Sequence, residues 1–354
     1  MIYRATEGAA LKTLVREARS VCQQAERERP RQGRGRKPVI PDWVLALMIM
    51  VAVMRRKKTK SAQYRFWTRR RRDFRCWMPG HRMPSRSTFF DRYRRVHRLF
   101  EHAIQLQGLR AIERGWADAT IVAVDKSLIA GRGPNWSPSH RRQGHIPRGV
   151  DTDTTWSFSE HHGWVQGYAY EVVVTASKGT PIWPLLASVD TASRSEQKSV
   201  LQKLPQLPKQ TCFVLADAGY DSNAVGEAVE WQDPGQRTGR RFLCPQVPRP
   251  NTGRGQPARQ SRERRRHRQR RDGRRKFFRS SSGRRLYARR KVTVEPFNAH
   301  LKHLFELEDQ VWHRGLDNNR TLLLAAIFAY QVLLAYNHRR GHAPLAVQEV
   351  LDAL

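Results

Sequence analysis

The pattern of apolar and polar positions divides the chain near residue 117. Before that point it is helical. A polar stretch (Arg29–Lys37) gives way at Pro41 and Asp42 to an apolar run, WVLALMIMVAVM, whose length suits a buried helix and whose opening suits a proline. RRKKTK ends it, and AQYRFWTRRRR follows as an amphipathic segment. After a turn region at Met78–Pro84, Ser85 or Ser87 caps a long basic helix, RSTFFDRYRRVHRLFEHAIQLQ. From Ala119 the period changes. TIVAVD (120–125), YAYEVVVTAS (168–177), PIWPLLASVD (181–190) and TCFVLAD (211–217) are strand-length apolar runs bounded by turn residues, with a Gly/Pro/Ser-rich loop at Gly131–Arg148. Residues 193–204 read as a helix before the last strand, and Leu316–Tyr336, interrupted by Gln331, as a long apolar helix. The expectation is a helical region at 1–117 and an α/β domain at 118–354, in keeping with about two domains for this length.

Charge changes what such a chain is for. It carries 66 Lys and Arg against 31 Asp and Glu, a net charge of +35, with 39% hydrophobic residues to build a core. That surplus calls for a polyanionic partner. The apolar runs at Trp43–Met54 and Leu322–Tyr336 are shorter than the roughly 18–20 residues of a membrane span, and the N-terminus lacks the apolar core of a signal peptide. Nucleic acid remains, with no membrane. Four scattered cysteines without a CxxC pair exclude a zinc ribbon and give no disulfide framework, which points to a reducing cytoplasm beside the nucleoid.

Two stretches concentrate the charge. Arg55–Arg98 holds 17 Lys and Arg against Asp73 and Asp91, interleaved with Tyr64, Phe66, Trp67, Phe74 and Trp77. Helix, helix, turn and basic helix resemble a helix-turn-helix in outline, with Arg92, Arg94 and Arg95 as candidate DNA contacts. Arg249–Arg290 holds 18 against Glu263 and Asp272 and is almost devoid of apolar residues before Phe277. It reads as a basic insertion at about 245–290, disordered or ordered by DNA, whose Arg264, Arg265, Arg266, Arg268, Arg270 and Arg271 match phosphates.

Three acids occupy positions that suit chemistry. Asp125 ends the strand TIVAVD, Asp217 ends TCFVLAD before a tight turn at Gly219, and Glu295 opens the helix VEPFNAHLKHLF with Pro296 in its first turn. If the three converge, they recruit Mg2+, or Mn2+ as a substitute, and a pair of such ions activates an attacking oxygen and stabilises a leaving one. Each acid alone more often serves a turn or cap. Asp221 reads as a turn residue, Asp190 as a weak candidate ligand, and His161–His162 and His300/His303 as surface histidines without the partners zinc needs. The glycines at 131–133 do not make a nucleotide-binding fingerprint. Trp164, Trp183 and Trp312 suit packing better than base stacking.

The words AVDKS, LADAGYDS and VEPFNAHLK occur in this order and carry Asp125, Asp217 and Glu295 in turn. This resembles the DDE transposases of bacterial insertion sequences, the RNase H-like group that includes the insertion-sequence-four and -five families, over about 118–340. The resemblance implies an RNase H-like catalytic domain behind a helical DNA-binding region, with Asp125, Asp217 and Glu295 holding two Mg2+ ions. It implies that water cuts the transposon end and that the freed 3′-OH attacks target DNA, within a homodimeric synaptic complex on double-stranded DNA. In many relatives a basic residue precedes the glutamate by four, a tyrosine lies three before that, and a lysine follows by seven. Those positions hold Lys291, Ala288 (with Tyr287 adjacent) and Lys302, and Lys302 shares a helix face with Glu295, suited to gripping a phosphate. An inactive relative that binds DNA without cutting, or a nuclease without strand transfer, is the alternative.

Overall fold

The computed structural model describes residues 7–29, 38–160, 163–233, 236–247 and 262–354. Six helices come first: α1 (Glu7–Glu28), α2 (Asp42–Met54), α3 (Lys60–Arg69), α4 (Arg71–Trp77), α5 (Arg86–Tyr93) and α6 (His97–Glu113). Every residue of α2 from Trp43 to Met54 is buried, as a helix apolar all round must be. The aromatics interleaved with the basic run also face inward. Trp67 meets Phe74 and Trp77 edge to face, while Arg65, Arg69 and Arg72 remain exposed. They are core residues, not stacking platforms.

The long helix expected after Ser85 is two. Ser85 caps α5 through Thr88 N–H (3.2 Å), but the helix stops at Tyr93, whose carbonyl accepts from Thr321 Oγ1 (2.7 Å). A carbonyl taken by a distant hydroxyl does not continue the ladder, and the chain turns through Arg94–Val96 into α6.

Then follow β1 (Ile121–Ala130), α7 (Pro138–Arg142), β2 (Thr155–Ser159), β3 (Gly163–Thr175), β4 (Pro184–Thr191), α8 (Glu196–Lys203), β5 (Phe213–Leu215), α9 (Asn223–Glu230), a small β6–β7 pair (Trp231–Asp233 and Gln236–Arg237) and β8 (Arg241–Leu243). The main sheet has six strands. Antiparallel β1 and β3 pair from Val122↔Thr175 to Ala130↔Gly167, while β4 and then β2 occupy the other edge of β3. On the far side of β1, β5 and β8 run parallel to it. Asp125 therefore lies mid-strand, not at a strand end as the sequence suggested, because pairing with the long β3 carries β1 on to Ala130.

Helices α10 (Arg262–Arg279), α11 (Ser281–Lys291), α12 (Val294–Leu304), α13 (Leu316–Arg340) and α14 (Val347–Asp352) complete the chain. Helix α13 is long and apolar enough to cross a membrane, but 94% of that window is buried inside the molecule. It packs on α2, α6 and β4, so one core runs across the helical and α/β regions. Gln331, the polar interruption in α13, donates to the carbonyls of Ile104 (2.9 Å) and Pro184 (2.7 Å), tying α6 to the start of β4.

The basic insertion is corrected in part. Residues 248–261 and the side chain of Arg264 lie outside the described residues, but 262–291 form α10 and α11. The expectation counted apolar burial and missed three acids on and before α9. Arg271 pairs with Asp221 (2.6 Å), Arg270 with Glu227, and the buried Arg274 with Glu230 (3.5 Å). Arg270 also lies over the Trp231 ring, 3.6 Å from its centroid, and Phe277 stacks on Phe213.

Candidate active site

The site arises where parallel pairing stops. β5 pairs with β1 only at Ile121–Ala123, and its chain turns away after Leu215. Just beyond the last paired residues, Ala123 and Leu215, come Asp125 and Asp217. Asp217 Oδ1 accepts from the N–H of Gly219 (2.9 Å), which holds the short 218–220 turn beneath it. Arg290, in the last turn of α11, reaches both carboxylates. Its Nη2 lies 2.5 Å from Asp125 Oδ1 and 3.5 Å from Asp217 Oδ2.

Asp125 is 9% exposed, and its second oxygen accepts from Asn298 Nδ2 (2.8 Å). Burial pushes its pKa up to about 6; the Arg290 guanidinium opposes that rise and the Asp217 charge adds to it. Burial also works against the charge on Arg290, but Asp125 and Asp217 outweigh it and hold the guanidinium above its usual value. Glu196, at the start of α8, faces the same turn. Its pKa is raised to about 7 by burial first, then by Asp217, against the pull of Lys126. Beneath lies a buried network in which Glu171 accepts from Lys203 Nζ (2.6 Å) and Tyr220 Oη (2.9 Å), the latter anchoring the turn after Asp217.

Asp125 and Asp217 are thus brought together. Glu295 is exposed and makes no hydrogen bond or ion pair among the described residues; Asn298, one turn later on α12, is the residue that meets Asp125. Lys302 is not open to phosphate, because its Nζ donates to the Leu128 carbonyl (2.8 Å) and half-buries against β1. Burial lowers its pKa. Lys291 is exposed, and the basic residue at the acids is its neighbour Arg290. The signal was legible: Tyr287 lies three before Arg290, the spacing the resemblance implies. The extra residue falls in the non-helical junction at Val292–Thr293 between α11 and α12. Glu196 had no such signal, since an acid after a serine cap is ordinary.

Of the candidate DNA contacts, Arg92 is engaged with Asp42 and the Ile40 carbonyl, and Arg270 and Arg271 with their acids. Arg94, Arg95, Arg265, Arg266 and Arg268 are exposed. Asp221 accepts from Val247 N–H (3.0 Å) and Arg271, so it braces α10. Asp190 faces Arg194 and Arg320. Trp183 and Trp312 are buried, Trp164 is 68% exposed against Phe158, His303 pairs with Glu308, and His161–His162 lie outside the described residues.

The donors suit a hard cation: two carboxylates facing one positive group, and the Asn298 Oδ1, a buried oxygen with no partner. Among the described residues no three His, Cys, Asp or Glu side chains form a ready-made metal cage. In this structure the positive charge between the aspartates is Arg290.

Residues 114–332 match the model of the transposase DDE domain family, more than half of the chain and the whole of this site. The chain belongs to that family, and DNA is the substrate its domain implies. No curated protein and no solved structure matches it.

Proposed function

We infer that the chain is a DNA transposase whose RNase H-like domain cuts transposon ends and joins their 3′-OH to target DNA, with Asp125 and Asp217 as the centre of a divalent-cation site. The observation that carries this is the pair of aspartates from neighbouring parallel strands, facing one guanidinium inside a DDE domain. Asp125 is fixed by Asn298, and α12 is pinned to β1 by Lys302, so the carboxylate is preorganised. Glu295, Asn298 and Lys302 fall on one face of α12, which supports Glu295 as the third acid, one turn beyond the Asp125 contact. Arg290 offers forked donors suited to a phosphate when the aspartates are otherwise matched. When bound there, Mg2+ or Mn2+ supplies activation of the attacking oxygen and stabilisation of the leaving one. The exposed Arg94 and Arg95, at the corner between α5 and α6, are the proposed contacts of the helical region with duplex DNA.

Asp217→Asn tests the reading. The amide keeps the shape and removes the charge, so Mg2+-dependent cutting of a plasmid bearing the transposon ends should vanish while gel-shift affinity for DNA stays near wild type. Cutting at the wild-type rate by the variant refutes the assignment, and cutting without joined product narrows it to a nuclease.

A further inference from the structure

Several buried or half-buried carboxylates in this strongly basic chain are closely matched. Asp42 meets Arg29 and Arg92, Glu17 meets Arg114 and Arg339, and Asp221 meets Arg271. Glu196 is different. Its nearest cation is Lys126 Nζ at 3.8 Å, and that ammonium donates instead to the Arg194 carbonyl (3.0 Å). What the carboxylate does face is Asp217. Ser195 caps α8, so Glu196 sits in the first turn and its side chain folds over Gly219, to whose carbonyl Gln197 Nε2 donates (3.2 Å). A Cβ at residue 219 would stand 1.9 Å from Glu196 Oε2 and 3.1 Å from Asp217 Oδ1, so a single point between the two carboxylates lies close to both, and only glycine leaves it clear. Beside Asp125, Asn298 is 8% exposed and its Oδ1 is buried without a partner, a second oxygen in this pocket that the fold leaves unused. The cations nearest these two carboxylates, Arg290 at 3.5 Å from Asp217 and Lys126 at 3.8 Å from Glu196, make no hydrogen bond to either, so both acids are only loosely matched on this side of the pocket.

We propose that Glu196 is a further cation ligand of this site, joining Asp125 and Asp217 in a set of carboxylate oxygens for Mg2+ or Mn2+. The inference rests on the reading of Asp125 and Asp217 as cation-holding residues. The competing role for an acid at this place is to favour the start of α8 through the helix dipole, which needs neither Gly219 nor Asp217 nearby.

Calorimetric titration of the full-length, ion-free protein with Mn2+, alongside ion-free melting curves, separates the two. Glu196→Gln removes the charge; Glu196→Asp keeps a charge for the helix start but shortens the reach by one methylene. Gly219→Ala leaves Glu196 intact and drives its carboxylate aside. All three should weaken Mn2+ binding about tenfold or more, with ion-free melting of Glu196→Asp near wild type. If Glu196→Gln, Glu196→Asp and Gly219→Ala bind Mn2+ like wild type while Asp217→Asn does not, Glu196 is no ligand and the aspartate pair stands. Loss of both melting temperature and affinity in Glu196→Gln, with both retained in Glu196→Asp, assigns the helix-start role and overturns the proposal. A wild-type protein without saturable Mn2+ binding overturns the cation reading itself, and this inference with it.

Discussion

Arginine meets carboxylate in two clusters of this molecule, and they are built differently. Along the seam between α9 and α10, Asp221, Glu227 and Glu230 face Arg271, Arg270 and Arg274, one guanidinium to each acid. In the pocket beside β1, a single guanidinium, Arg290, spans Asp125 and Asp217, with Glu196 nearby and no arginine of its own. A matched seam holds a helix in place and asks for nothing more. An acid-rich pocket leaves negative charge that water screens poorly, and its resting state remains incomplete. Charge balance, rather than the presence of ion pairs, separates the structural cluster from the candidate site.

Removing the guanidinium from each cluster breaks this comparison most directly. Arg290→Ala leaves Asp125 and Asp217 facing each other with no intervening charge, so stability in chelator should fall by about 3 kcal/mol. Mn2+ should restore more stability in this variant than in wild type, since the ion takes a place the guanidinium held. Arg271→Ala should cost about 1 kcal/mol, because Asp221 keeps the Val247 N–H, and Mn2+ should not change that figure. Urea denaturation with and without Mn2+ reads both. An equal Mn2+ response in the two variants would erase the distinction.

The seam also predicts which arginines are available to DNA. Arg265, Arg266 and Arg268 project from α10 without a matching acid in these ion pairs, whereas Arg270 and Arg271 are held. Mutating the first three to Ala should flatten the slope of log affinity against log salt by about 2 to 3, at roughly 0.9 per phosphate contact on duplex DNA. The double change at Arg270 and Arg271 should flatten it by less than about 1. Filter binding across a salt series measures both slopes, and equal flattening would show that DNA draws the seam arginines away from their acids.

How much of this was readable beforehand follows the same division. Asp125 and Asp217 stand in apolar strand words that local pattern picks out, while their nearness to one another was implied only by the resemblance. The extent of β1 was not readable, because it depends on β3, a partner that returns only after the long loop following Ala130. Counting apolar residues in 249–290 missed α10 for a related reason. Its partners Glu227 and Glu230 lie well before it in the chain, on a helix that the apolar pattern did not mark. The break between α5 and α6 depends on Thr321, which belongs to the far end of the sequence. Arg290 was within reach through its spacing from Tyr287, whereas the closeness of Glu196 to Asp217 exists only after α8 packs over the 218–220 turn.

The smallest expected effect is a pH dependence of the pocket. Asp125 titrates at about 6 in the folded chain, against 3.8 for the ordinary group. The folded state therefore holds this proton more tightly than the unfolded chain does. Its contribution favours folding below about pH 4 and is lost as pH rises through 6. Asp125→Asn removes the titration while keeping an oxygen that can accept from Arg290. Relative to wild type in chelator, the variant should gain on the order of 1 kcal/mol between pH 4 and pH 7, and the gain should shrink when Mn2+ is present for wild type to bind. Parallel denaturation curves at pH 4, 5.5 and 7 read the difference. A flat difference for Asp125→Asn would mean that Arg290 balances its carboxylate fully, making the pocket a second matched cluster and removing the contrast on which the site assignment is argued.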